Sequence, residues 1–224
     1  MSQISDSRIS DDLYRDLLAG LFGLIWIALA IAPLYRHDWL LENMLVIIGA
    51  GFFVYWRKSI QLSKLSMSLV FVFLVLHEIG AHYTYSEVPY NDWTRALFGT
   101  SLNEMLGLQR NHFDRLVHFS YGFLLAYPMR EIYIRKTWLH GRLTYTFPVV
   151  ITLGISALFE MLEWGAAITV GSELGTAYLG TQGDVWDAQK DMALAGLGAA
   201  ITMIAAFVAL RKNPPAWENA AVPR

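Results

Sequence analysis

Long apolar runs, separated by short polar segments, make up most of this 224-residue chain. A helix needs about 20 mostly apolar residues to cross the hydrocarbon core of a bilayer. The pattern therefore predicts an all-α polytopic membrane protein, with six transmembrane helices bundled in one domain (1–212) and a disordered cytoplasmic tail (213–224). The predicted spans are residues 17–34, 40–56, 65–85, 113–133, 143–159 and 192–210.

Composition agrees with a membrane protein and narrows the chemistry. Hydrophobic residues make up 55% of the chain and charged residues 16%, against about 45–50% and about 25% in soluble domains. The net charge of −2 gives no electrostatic reason to expect nucleic-acid binding. The chain has no cysteine, which excludes disulfides, thiolate-bound metals and thiol nucleophiles. Any metal site must therefore use His, Asp and Glu.

The distribution of positive charge predicts the orientation. If the N-terminus is cytoplasmic, twelve of the seventeen Lys and Arg residues fall on the cytoplasmic side, as the positive-inside rule requires. We therefore expect a multi-pass protein of the bacterial inner membrane with both termini inside. The sequence Ala28-Leu29-Ala30 resembles a signal-peptide processing site, but the preceding segment is too acidic for a cleaved signal.

Ionisable side chains occur inside the predicted spans, where each costs about 2.5–3.5 kcal/mol on insertion scales and usually has a function. Residues three or four apart share one face of a helix. Spans three and five end on the outer side and spans four and six begin there, so we expect their polar motifs to meet in one outward-facing layer. The motifs are His77-Glu78 with His82, Asp114 with His118, Glu160 with Glu163, and Asp184, Asp187 and Asp191.

Carboxylates in this layer outnumber the nearby cations, Arg115 and Lys190. Like charges this close cannot all stay ionised unless a cation or protons bind. A mixed set of histidine and carboxylate ligands suits zinc, manganese or iron better than calcium. The predicted metal ligands are His82, Asp114, His118, Glu160, Asp187 and Asp191, and the predicted catalytic residues are His77, Glu78 and Glu163.

Structural roles are the alternative for each motif. Asp114, Asp184 and Asp187 lie near predicted helix starts, where carboxylates cap free N–H groups. Capping does not explain His118 or Asp191, which lie deeper in their helices. Glu160 and Glu163 fall at a predicted helix C-terminus, the unfavourable end for a carboxylate. The histidines near residue 80 are also consistent with a polar edge at the lipid headgroups.

The outer loop 86–112 mixes apolar and polar residues. This pattern is typical of an interfacial amphipathic helix, which would cover the polar layer like a lid. Aromatic anchoring at the headgroups is the alternative interpretation.

The chain resembles the YjdF-like family of bacterial inner-membrane proteins from the first span to Leu210. The resemblance rests on the His77-Glu78 segment, on the segments 113–119 and 159–164, and on the segment from Gly180 to Asp191. The last three segments are more distantly similar to VanZ-like membrane proteins, although Glu163 stands where that pattern has glutamine. The resemblance implies the membrane fold and the choice of polar residues, and neither family implies a mechanism.

The expected function is that of a metal-dependent, hydrolase-like enzyme at the outer face. A bound divalent ion lowers the pKa of its water toward about 7, and a free carboxylate or His77 would act as the base. Membrane lipids are the expected partners, and a lipid or lipid-linked envelope precursor is the expected substrate. An ion-coupled or proton-coupled transporter and a non-catalytic membrane scaffold are the alternatives, and the oligomeric state stays open.

Overall fold

Each apolar run forms a helix in the computed structural model, which describes residues 10–56, 59–137, 139, 141–170 and 181–220. The long helices are α1 (Asp11–Leu29), α2 (Arg36–Trp56), α3 (Lys64–His82), α6 (Phe113–Lys136), α7 (Leu143–Val170) and α8 (Asp187–Leu210). The short helices are α4 (Tyr90–Phe98), α5 (Leu102–Leu106) and α9 (Ala216–Ala220), and Tyr85–Glu87 forms a 3-10 turn. The predicted all-α class is confirmed, since the described residues contain no strand.

Within the described residues, four helices, α2, α3, α7 and α8, are long and apolar enough to cross a membrane. Helices α1 and α6 are of similar length but carry more charge; α1, for example, has Asp11, Asp12, Arg15 and Asp16 in its first two turns. Six spans and cytoplasmic termini therefore stay a prediction.

Serine side chains fix the starts of two helices that border the site. The Ser10 hydroxyl accepts the backbone N–H of Leu13 at the start of α1, and Ser63 accepts that of Ser66 at the start of α3. Each cap satisfies a backbone donor that has no partner within its helix. The polar residues just before these apolar runs thus define where the helices begin.

Helix α6 lies at the centre of the bundle and packs against α3, α7 and α8. Two glycines allow α6 and α8 to approach closely. A Cβ atom at Gly122 would collide with the carbonyl oxygen of Ala195, and one at Gly198 would collide with that of Phe119. The N-terminal halves of α6 and α8 are therefore held side by side, and this contact positions their acidic residues.

Two helix boundaries differ from the prediction in a way that affects the site. Helix α7 continues to Val170 rather than ending at residue 159, because the apolar pattern resumes after the two glutamates. Glu160 and Glu163 therefore lie inside a helix, and the expectation that they sit at a helix C-terminus is wrong. Helix α8 begins at Asp187 instead of residue 192, so Asp191 lies in its second turn.

The ends of the chain and the outer loop also carry structure. Within the predicted disordered tail, α9 contacts the inner end of α6, where Glu218 pairs with Arg130 at 2.7 Å; residues 221–224 lie outside the described part. The outer loop contains two short helices, α4 and α5. The apolar side chains of Leu97, Phe98, Met105 and Leu106 are exposed there, as expected for an interfacial segment.

Candidate metal centre

Helices α6, α7 and α8 bring together four residues that the sequence predicts as metal ligands and that are called the metal group below: Asp114, His118, Glu160 and Asp191. One ligand atom each from Asp114, His118 and Asp191 lies within 4.8 Å of the other two. His118 Nε2 is 3.5 Å from Asp114 Oδ1 and 3.6 Å from Glu160 Oε1. Ligands bind zinc at about 2.0–2.2 Å, so two donors of one ion lie no more than about 4.4 Å apart. The His118 distances meet this limit, and the 4.8 Å that bounds the separations among Asp114, His118 and Asp191 exceeds it by only about 0.4 Å.

Two of these carboxylates each have a buried oxygen without a hydrogen-bond partner among the described residues. Asp191 is 2% exposed, and among the described residues neither its Oδ1 nor Glu160 Oε1 has a hydrogen-bond partner. A buried polar atom without a partner costs roughly 1–3 kcal/mol, and more when it is charged. Such a cost is expected where a ligand supplies the missing partner.

Asp187, the remaining predicted metal ligand of α8, lies in a different environment. Arg110 binds both of its carboxylate oxygens, at 2.8 and 3.2 Å, and Arg115 Nη2 donates to Oδ1 at 2.9 Å. A carboxylate held by two guanidinium groups already has its charge neutralised. The structure therefore places Asp187 in an arginine pair beside the metal group, one turn of α8 away from Asp191.

Asp184 extends this charged network toward the outer surface. Its carboxylate binds Lys190 Nζ, accepts the backbone N–H of Trp186 at 3.1 Å and binds Arg115. The hydrogen bond from Lys190, followed by that from Trp186 and the bond from Arg115, holds the pKa of Asp184 well below its usual range. Asp184 thus stays ionised and fixes Arg115 at the mouth of the site.

The α3 motif contributes His77 through a strained turn. Thr84 and Tyr85 both have positive φ, at 55° and 33°, which is costly for side chains of this size. Gly80 leaves room for the Tyr85 ring, since a Cβ there would overlap that ring. The turn brings the Tyr85 hydroxyl within 2.6 Å of His77 Nδ1. It therefore joins α3 to the polar layer.

Tyr85 also shows how many acids surround this turn. Burial raises the pKa of the Tyr85 phenol well above its ordinary value, and the negative charges of Glu42, Asp114, Glu163 and Glu78 add to this effect in that order. The predicted catalytic residues Glu78 and Glu163 therefore lie in the same charged neighbourhood as the metal group. Glu78 is fully buried, and neither of its carboxylate oxygens has a partner in the described part of the chain.

His82 is the predicted ligand that the structure places apart from the others. Its Nδ1 lies 2.7 Å from the carbonyl oxygen of Leu29, at the end of α1. A ring held against a backbone carbonyl connects α1 to α3, which is a structural contact. His82 therefore does not join the group formed by Asp114, His118, Glu160 and Asp191.

Sequence reasoning missed Glu42 and Arg110. Glu42 is 6% exposed and its Oε2 has no partner within the described residues. It interrupts the second apolar run, so the same rule that identified Asp191 would have found it. Arg110 lies in a polar loop and has no comparable signal, because its partner Asp187 is distant in sequence.

A cavity of about 740 Å³ reaches the site from the side opposite α8. It lies between α1, α2, α3, α6 and α7, and its volume is within the range of small-molecule sites, about 300–1,000 Å³. The acidic and basic side chains of the polar layer that line it are His77, Asp114, His118 and Glu163, and Tyr85 joins them. Asp114 and His118 therefore belong to the metal group and also line the cavity.

Comparison with known proteins shows the family. The chain is 38% identical over 172 residues to "Inner membrane protein YjdF" of Escherichia coli (strain K12), and the match covers 75% of this chain and 78% of that protein. No solved structure matches. The relative and the four apolar helices agree with the predicted location in the inner membrane. Residues 14–212 match the family model described as "Predicted membrane protein (DUF2238)", and the chain therefore belongs to this family of integral membrane proteins, as the resemblance in its polar motifs predicted.

Proposed function

We propose that the protein is a divalent-cation-dependent hydrolase that acts on a phosphoryl or ester bond of a lipid or lipid-linked envelope substrate. The observation that carries the proposal is the convergence of Asp114, His118 and Asp191, with Glu160 beside His118. Three helices supply these side chains, and two of the carboxylates have a buried oxygen that lacks a partner among the described residues. Zinc, manganese and iron suit this set of one nitrogen donor and several oxygen donors.

The bound ion would polarise the scissile group and supply a nucleophilic water near neutral pH. Glu163 and His77 face the cavity beside the ligands, and each is a candidate general base. Arg110 and Arg115 lie next to the metal group through Asp187, and a guanidinium binds phosphoryl oxygens in a bidentate manner. In this proposal Asp187 orients the two arginines and is not a ligand.

The proposal includes six spans with both termini in the cytoplasm. In the order of the described helices, α3 and α7 then end on the outer side, and α6 and α8 begin there. The metal group would thus face the outer leaflet, where a lipid substrate arrives from the bilayer.

A transporter is less well supported by the same cavity. Apart from Arg15, the cavity wall below His77 carries no acidic or basic side chain of the described residues. A proton or ion path needs a chain of polar groups. The apolar wall instead suits a hydrocarbon ligand, and it favours the enzyme over the alternatives.

The direct test measures metal and hydrolysis together. We expect the purified protein to retain Mn²⁺ or Zn²⁺ in elemental analysis, and to release phosphoethanolamine, phosphoglycerol or fatty acid from vesicles of phosphatidylethanolamine and phosphatidylglycerol. Asp114→Asn and Glu160→Gln should lose both properties, because each removes a ligand without changing shape. The control is Asp92→Asn, a carboxylate whose side chain is 76% exposed in α4. Equal metal content in the parent and both ligand variants would overturn the proposal.

A further inference from the structure

The cavity beside the metal group has the layout of a lipid-binding site. Apart from Arg15 at the far end, its charged and titratable side chains gather at one end, where His77, Tyr85, Asp114 and Glu163 line it together with His118. The remaining wall is mostly apolar and comes from α1, α2 and α3. A ligand that fills this space must therefore have a polar head at the metal end and a hydrocarbon tail at the other.

The length of the apolar part fits a tail from one leaflet. On α1 the lining runs from Arg15 to Trp26, and on α3 from Met67 to His77. At 1.5 Å per residue these stretches are about 15–17 Å long. One leaflet of the hydrocarbon core is about 15 Å thick. The cavity is therefore about as long as the acyl tail of a membrane lipid.

The side of the cavity gives such a tail a way in from the bilayer. Helices α1 and α2 meet at the outer end, where Trp26 donates to Asn43 and its ring lies 5.5 Å from that of Trp39. Below this contact, Gly23 of α1 and Gly49 of α2 line the cavity, and a Cβ at either position would have open space around it. Most of the α2 residues that line the cavity are exposed. The side of the cavity between α1 and α2 is therefore the side on which a tail can enter.

We infer that this cavity holds the acyl tail of a membrane glycerolipid, whose headgroup then lies against Asp114 and His118. The inference rests on the proposed function for the identity of the reaction, because it names the substrate class of the same site. It rests on the shape of the cavity for the position of the tail. The two parts can fail separately.

Two pairs of glycines provide matched variants. Gly23 lines the cavity, whereas Gly20, one turn earlier on α1, does not; Gly49 lines it and Gly51 does not. A Cβ atom added at any of the four glycines would have no side chain and no neighbouring helix within 4 Å. Gly23→Phe and Gly49→Phe should therefore fill the tail space, and Gly20→Phe and Gly51→Phe should leave it open while making the same chemical change.

The probe is a phosphatidylglycerol with a photoreactive diazirine in the middle of one acyl chain, in vesicles of phosphatidylethanolamine and phosphatidylglycerol. After irradiation, mass spectrometry measures the label on Tyr121, which lines the cavity from α6. We expect label on Tyr121 in the parent, in Gly20→Phe and in Gly51→Phe, and its loss in Gly23→Phe and Gly49→Phe. Two cavity positions are used so that a failure of one variant to fold leaves the other as the test.

The outcomes separate the two claims. Equal labelling of Tyr121 in the cavity variants and their controls overturns the tail site, as does labelling by a diazirine-bearing polyprenyl phosphate and not by the glycerolipid. Mn²⁺ binding is measured on the same samples and should be unchanged in Gly23→Phe. Specific labelling in a protein that binds no Mn²⁺ would support the tail site and contradict the proposed hydrolase.

Discussion

Two ends of helix α6 bury acidic groups in opposite ways. Near the C-terminal end of α6, called the inner end after the predicted orientation, Glu131 is fully buried, yet it accepts hydrogen bonds from the Ser63 N–H at 2.8 Å, the Ser63 hydroxyl at 2.7 Å and Arg135 Nε at 2.9 Å. The Ser66 hydroxyl binds it as well. Near the N-terminal end of α6, called the outer end after the predicted orientation, Glu160 and Asp191 lie close to Asp114, and each has a buried oxygen without a hydrogen-bond partner among the described residues.

This difference separates a structural acid from a functional one. A buried carboxylate that has all its partners holds helices together, and its loss destabilises the fold. Buried carboxylate oxygens that lack partners add nothing to stability by themselves, and where carboxylates from several helices converge around a histidine, a ligand is the expected partner. Burial alone does not distinguish them, whereas the inventory of hydrogen-bond donors does.

The largest effect is expected at the inner end. Glu131→Ala removes the acceptor for Ser63, Ser66 and Arg135 and leaves buried donors unpaired. We expect the free energy of unfolding to fall by about 3–5 kcal/mol. Denaturant titration in detergent micelles measures it. A loss below about 1 kcal/mol would show that the inner acid is not structural.

A smaller loss is expected for Glu218→Gln in α9. Arg130 is fully buried, lies 4.2 Å from the centre of the Tyr145 ring, and pairs with Glu218 at 2.7 Å. Removing the charge of Glu218 weakens one charge-assisted bond, which is worth about 1.5–3 kcal/mol. The same titration should show a loss in this range. No change would mean that α9 does not stabilise α6.

The opposite sign is expected at the outer end when no metal is present. Asp191→Asn keeps the shape of the side chain but replaces a buried, unsatisfied carboxylate with a neutral amide. We expect the metal-free protein to be as stable as the parent or more stable, by about 1 kcal/mol. Unfolding in the presence of a chelator measures it. A loss of stability comparable to that of Glu131→Ala would remove the distinction between the two ends.

The smallest effect concerns the exposed part of the charged network, at Asp184. Its pKa is depressed in the folded protein, so its contribution is present above the unfolded pKa, about 3.9, and is lost as the pH falls below that value. Asp184→Asn should therefore lower the melting temperature slightly in the neutral range and flatten its fall below about pH 4, so that the two proteins converge in acid. A melting curve measured across this range provides the check. The same acid-side slope in both proteins would contradict the assignment.

The sequence predicted the helices and the outer polar layer because both follow from local rules. Apolar run length indicated the helices, and the rarity of charge in such runs singled out Asp114, His118 and Asp191. The partners of buried groups could not be predicted in this way. Ser63 and Glu131 are 68 positions apart, and no periodicity relates them.

The same reason explains two further differences. The positive-inside rule counts Arg130 among the twelve cationic residues of the cytoplasmic side, yet the fold buries its side chain completely. Arg110 forms an ion pair with Asp187, a predicted metal ligand, and lies in a loop that has no helical register. Sequence spacing shows which residues share a face of one helix, and only the packing of helices shows which cation faces which acid.

We propose that Asp114, Glu160 and Asp191 hold a divalent cation together with His118, and that Glu131 does not. The most direct measurement is the shift in melting temperature that Mn²⁺ causes in the parent, in Asp191→Asn and in Glu131→Gln. At about 100 times the dissociation constant a ligand adds about 2.7 kcal/mol, so the parent should melt at a higher temperature with Mn²⁺. We predict that Asp191→Asn loses this shift and that Glu131→Gln keeps it from a lower starting temperature. An equal shift in all three proteins, or none in the parent, would contradict the account.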